Sequence, residues 1–174
     1  MSGNPSHWQL LRRWRQSVLV LHLMSAAAWF GVDVVVAVLV VTGWFADDLA
    51  LRSLAYRGLA NFVTVPMLVS ALVCLATGVV LGLATKWGLV RYWWVVVKLG
   101  LNLVLCTLII VVLQPGMPEV DAYGQELLAG VPDPAVVRNL FFPPAVSLIT
   151  LTFAVVLAVM KPWGRLRRGR RLDG

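Results

Sequence analysis

The chain has 174 residues, 60% of them hydrophobic and 13% charged, with a mean hydropathy of +0.84. So little polar material cannot cover a soluble domain of this size, which excludes that class. The net charge of +7 and pI near 10.3 would suit a nucleic-acid binder. The charges, however, lie between hydrophobic runs and not on an aromatic-studded basic face, so no nucleic-acid partner is expected. Cys74 and Cys106 fall inside apolar runs without a CxxC spacing and give no disulfide framework. A polytopic membrane protein is left.

In chain order, residues 1–16 form a polar head with Arg12, Arg13 and Arg15. The run 18–42, VLVLHLMSAAAWFGVDVVVAVLVVT, exceeds the roughly 20 apolar residues that cross a hydrocarbon core. It continues well past Ala26 and Ala28, so a retained anchor is expected and not a cleaved leader. The stretch after it is rich in helix formers, and Asp47 or Asp48 is a candidate N-cap, so the second helix is expected to begin well outside the membrane. Further spans are predicted at 59–84, 93–113 and 140–160. Residues 114–138 are punctuated by Pro and Gly and read as a loop over the outer mouth, with Asp133 and Pro134 starting the fourth helix. The resulting fold class is an all-α integral membrane protein: a four-transmembrane-helix bundle over 17–163, followed by a basic tail, 164–174.

Charge sets the expected orientation. The head, the Lys86 and Arg91 connection and the tail, with Lys161, Arg165, Arg167, Arg168, Arg170 and Arg171, are basic. The other two connections are neutral or acidic through Asp47, Asp48, Glu119, Asp121, Glu126 and Asp133. Basic segments on one side of four spans place both termini in the cytoplasm. Trp8, Trp14, Trp87, Tyr92, Trp93, Trp94 and Trp163 cluster at the same predicted boundary, as an interfacial belt does. The tail either contacts anionic headgroups, at about 1 kcal/mol per charge, or serves only as a topology signal. The preponderance of Arg over Lys fits GC-rich coding, and the expected location is the cytoplasmic (inner) membrane of a bacterium.

Each predicted span carries one polar seam, and polar groups in a membrane belong against other helices. His22, Ser25, Trp29 and Asp33 share a face of the first. Ser70, Cys74, Thr77 and Gly78 line the second, with Gly78 and Gly82 in a GxxxG that permits close helix approach. Lys98, Asn102 and Cys106 line the third, and Ser147 and Thr150 the fourth. Pro143 and Pro144 are expected to distort the first turns of that last span and free backbone carbonyls. Counting rise along each helix puts His22, Lys98 and Thr77 level in an inner layer. Asp33 falls in an outer layer near Asn61, Thr64 and Arg138.

Two readings of the inner layer stay open. His22 can be an axial ligand to haem iron, with Lys98 pairing a propionate or acting as second ligand. Otherwise His22 hydrogen-bonds a backbone carbonyl and Lys98 snorkels to the headgroups. A copper site is poorly served, because there is a single intramembrane histidine and Met24, Met67 and Met160 are scattered. Asp33 is either a proton or cation site or the hydrogen-bonded partner of Asn61 or Arg57, and the second is favoured.

The patterns LHLMSAAAWFG in the first span and NFVTVPMLVSALVCLATGVVLGLATKWGLVRYWWVVVKLGLNLVL across the next two resemble a family of small actinobacterial membrane proteins of unassigned function. The resemblance covers 18 to about 113. More distantly, the arrangement is similar to the membrane protoporphyrinogen oxidase and copper-resistance membrane families. The oxidase resemblance implies haem b, with His22 and Lys98 at the positions of its first-helix histidine and later-helix lysine, and a redox role. Its second histidine and the arginine after the first-helix Trp and Gly are not found here. The site expected on this basis comprises His22, Lys98, Thr77, Trp29 and Asn102, with His22 as iron ligand. The rival expectations are a non-enzymatic subunit or scaffold that joins other membrane proteins as a homo- or hetero-oligomer, and transport of a small cation through Asp33 or of copper.

Overall fold

The computed structural model describes residues 5–84, 92–130, 137 and 139–160, with side chains from Arg13 onward. Its long elements are all helical: α1 (Pro5–Phe45), α2 (Leu49–Gly58), α3 (Thr64–Ala84), α4 (Trp93–Leu108), α5 (Gln114–Ala129) and α6 (Phe142–Met160). Two π turns, Leu59–Val63 and Ile109–Leu113, join α2 to α3 and α4 to α5 without a break. The described chain thus contains four helical rods long and apolar enough to cross a membrane: Arg13–Phe45, Leu49–Ala84, Trp93–Ala129 and Phe142–Met160. That is the architecture of a multi-pass membrane protein. The basic tail, the Lys86 and Arg91 connection, the Asp133–Pro134 pair and Arg138 lie outside the described residues.

The two middle rods are longer than a membrane requires. With 36 and 37 residues, each runs to about 55 Å, against a core of about 30 Å. Their less apolar ends, α2 and α5, pack on each other beyond the apolar segments. Asp48 caps α2 as expected, its Oδ1 accepting from the Ala50 N–H at 3.0 Å. Ser53 Oγ donates to the Gly124 carbonyl at 2.5 Å, and the rings of Tyr56 and Tyr123 meet edge to face at 5.1 Å. Gly124 permits this closeness, and Gly43 on α1 permits the approach of α2 to α1. A Cβ at Gly43 would stand 2.7 Å from the Tyr56 ring, and one at Gly124 would stand 3.2 Å from the Ser53 carbonyl.

The structure corrects the reading of 114–138 as a loop, since Gln114–Ala129 is helical through Pro115 and Pro118. The π turn before it explains the tolerance. The Gln114 N–H reaches back five residues to the Ile109 carbonyl, so the helix is widened where proline brings bulk and no donor. Gly130, at φ 86°, ends the rod in the left-handed conformation that glycine adopts freely. Pro143 and Pro144 are corrected too. They occupy the second and third positions of α6, where an N–H has no intrahelical partner to lose, so they free no carbonyl.

The seams point inward as their spacing requires. Ser25, Trp29, Asp33, Val36 and Val40 are buried along α1, and Met67, Ser70, Ala71, Cys74 and Thr77 along α3. Outward faces are apolar, with Leu23, Val34, Val38, Val65, Val69, Val104 and Val111 all exposed, as lipid contact demands.

Candidate functional site

The bundle holds two polar layers of different construction. In the inner one, His22 docks from α1 onto α3 at Gly78, where a Cβ would meet the imidazole Cε1 at 3.2 Å. Its Nδ1 lies 3.0 Å from the Cys74 carbonyl and 3.0 Å from Thr77 Oγ1. A carbonyl only accepts, so Nδ1 carries the proton and Nε2 the lone pair. Thr77 Oγ1 in turn donates to the Val73 carbonyl at 2.6 Å. Lys98 on α4 is in electrostatic reach of His22 and Cys74. Asn102, one turn further, accepts from Cys106 Sγ at 3.3 Å. His22, Thr77, Lys98 and Asn102 therefore form one neighbourhood, with the backbone-carbonyl bond expected of a structural histidine.

Trp29 stands apart from that group. It is fully buried two turns along α1, and its Nε1 has no hydrogen-bond partner among the described residues.

The outer layer differs from expectation. Asn61 is exposed and bonds Asp121 Oδ1 at 2.8 Å and the Arg57 carbonyl at 3.0 Å. Arg57 pairs with the same Asp121 at 3.6 Å. Neither is the partner of Asp33, and the favoured assignment is corrected. Arg57 ends α2 and Asn61 follows it in the first π turn, where both are taken up by Asp121 on α5. Thr64 is buried, but it lines a small void of about 10 Å³ between the two π turns.

Asp33 is 1% exposed and takes its hydrogen bond from across the bundle, where Ser147 Oγ on α6 donates to Oδ2 at 2.5 Å. Its carboxylate lines a cavity of about 220 Å³ with Met67, Leu105, Ile109, Pro143 and Ser147. Among the described residues, no lysine or arginine lines that cavity. The second π turn forms part of its wall through Ile109, Val112 and Leu113, and such turns recur at functional sites. Sequence reasoning placed Ser147 on an inward seam without pairing it. The signal was depth: Asp33 lies nine residues before the predicted end of its span and Ser147 seven after the start of an antiparallel one.

Among the described residues, no group of three or more His, Cys, Asp or Glu is placed to hold a metal ion. Neither the Asp33 cavity nor the smaller void is lined by His22. Comparison of the chain with protein-family models, with curated proteins and with solved structures yields no match.

Proposed function

We propose that this multi-pass protein, with both termini cytoplasmic, is a non-enzymatic cation-binding protein of a bacterial inner membrane whose working site is the Asp33 cavity. The observation that carries the reading is the carboxylate itself. It is buried and, among the described residues, faced by one hydroxyl donor and no cationic side chain along an otherwise apolar wall. A carboxylate withdrawn from water acquires a proton or a counter-ion, and a group able to exchange one for the other can couple the two across a membrane. Reconstitution in liposomes with an internal pH dye tests this. Cation-dependent proton flux is expected and should be lost in Asp33→Asn; flux unchanged in that variant would overturn the reading.

A second reading rests on His22. With Nδ1–H held by a carbonyl, Nε2 is in the tautomer that metal-ligating histidines adopt. His22 Nε2 would hold the iron of haem b and Lys98 would pair with a propionate, and such a group would supply one-electron chemistry. The support is thinner than for Asp33, because His22 does not line the cavity that Asp33 lines. A Soret band in protein expressed with haem precursor, abolished in His22→Ala, would establish it; absence of the band would remove it.

A further inference from the structure

The wall of the Asp33 cavity is unevenly covered. On the α1 and α3 side it is closed by buried Val36 and Met67. On the other side its lining residues Leu108, Val112, Phe142 and Val146 are exposed, Val112 by 62% and Phe142 by 67%. Those four lie on the Trp93–Ala129 rod and on α6, the two rods with the least buried apolar windows, 17% each against 28% and 33% for the others. The exposed faces of these rods are apolar, so in a bilayer this gap faces hydrocarbon. The cavity is therefore a side pocket of the membrane interior, with a carboxylate at its inner end.

That arrangement narrows the ligand. A hydrated inorganic ion reaching Asp33 from the side would have to shed its water in hydrocarbon, and the wall offers almost no polar surface to replace it. A neutral apolar molecule would fill the space but leave the carboxylate without a counter-charge. A hydrophobic body bearing one positive nitrogen meets both demands. It partitions into the bilayer, buries its apolar part against Met67, Leu105 and Ile109, and brings the cation to Asp33. An apolar cavity of about 150 Å³ accommodates benzene, so a cavity of about 220 Å³ admits an aromatic ring with a small substituted amine. We infer that the Asp33 cavity binds small hydrophobic amines in their protonated form, taken laterally from the lipid between the third and fourth spans. The inference rests on Asp33 being the working site and names what that site takes.

The test uses the full chain in phosphatidylcholine nanodiscs near pH 7. Dicyclohexylcarbodiimide, itself membrane-soluble, is allowed to modify Asp33, and the labelled peptide is quantified by mass spectrometry. Benzyldimethylamine, cationic at this pH, is compared with its neutral isostere isobutylbenzene and with sodium chloride. The amine should protect Asp33 at a concentration lower than isobutylbenzene by on the order of tenfold or more, and sodium should not protect. Val146→Trp, which fills the opening and leaves Asp33 in place, should slow labelling of Asp33 by the carbodiimide itself, since the reagent enters from the lipid by the same gap. Equal protection by amine and isostere, protection by sodium at similar concentration, or unslowed labelling in Val146→Trp would overturn the inference while leaving a working site at Asp33. No labelling of Asp33 with any ligand absent, while a water-soluble carbodiimide labels Asp47 and Asp48, would overturn the reading of the cavity as a site altogether.

Discussion

At the His22 layer, an imidazole N–H meets a carbonyl, a threonine hydroxyl closes back on its own helix, a glycine makes room for the ring and an asparagine accepts from a cysteine. At the Asp33 layer, a carboxylate meets, among the described residues, one hydroxyl and a cavity. Both are polar groups inside an apolar bundle and both join helices distant in sequence. A satisfied group fixes helix against helix, whereas a group left short of partners keeps capacity for something else. On this contrast, substitutions at His22 should act on stability, and those at Asp33 on binding.

The largest expected loss of stability is in His22→Ala. It removes the bond to Cys74 and the ring packed on Gly78, and should cost about 2–3 kcal/mol in a detergent-micelle unfolding titration. A loss below about 0.5 kcal/mol, the level of an ordinary surface change, would break the contrast from one side. Gly78→Leu attacks the same seam from the other helix. Its Cβ already meets the imidazole at 3.2 Å, so the added side chain should push α1 from α3 at about 1–3 kcal/mol. The two losses should not add, since each disrupts the same contact; additive losses in the double variant would show that they act separately. Ser147→Ala leaves Asp33 without its donor, at about 1–2 kcal/mol. That loss should largely vanish in an Asp33→Leu background, where no carboxylate remains to be stranded. Arg57→Ala should have the smallest effect, about 0.5 kcal/mol or less, because the pair with Asp121 is open to solvent. Its persistence in high salt would show a stronger network than the geometry implies.

Much of the architecture was legible because it follows from composition and period. Four apolar runs give four helices long and apolar enough to cross a membrane, and the 3.6-residue spacing of His22, Ser25, Trp29 and Asp33 gives the buried face of α1. Asp48 announced the start of α2 by its residue type, and counting rise put His22 level with Thr77. Residues 114–129 were misread because proline and glycine signal a loop wherever no π turn precedes them, and nothing in IIVVL announces one. The partner of Asp33 was missed for another reason. Asn61 and Arg57 are chemically stronger partners than a serine, and only the third dimension shows that they are spent on Asp121. A cavity has no sequence signature, since it is the space that Met67, Leu105 and Ile109 fail to fill.

The claim that Asp33 is kept for binding and not for holding the bundle is tested most directly by the unfolding free energy of Asp33→Asn. The amide can still accept from Ser147 and no longer buries a carboxylate, so the variant should be as stable as the parent or more stable. A loss as large as that of His22→Ala would contradict the account, because it would make Asp33 a structural member of the bundle like the histidine below it.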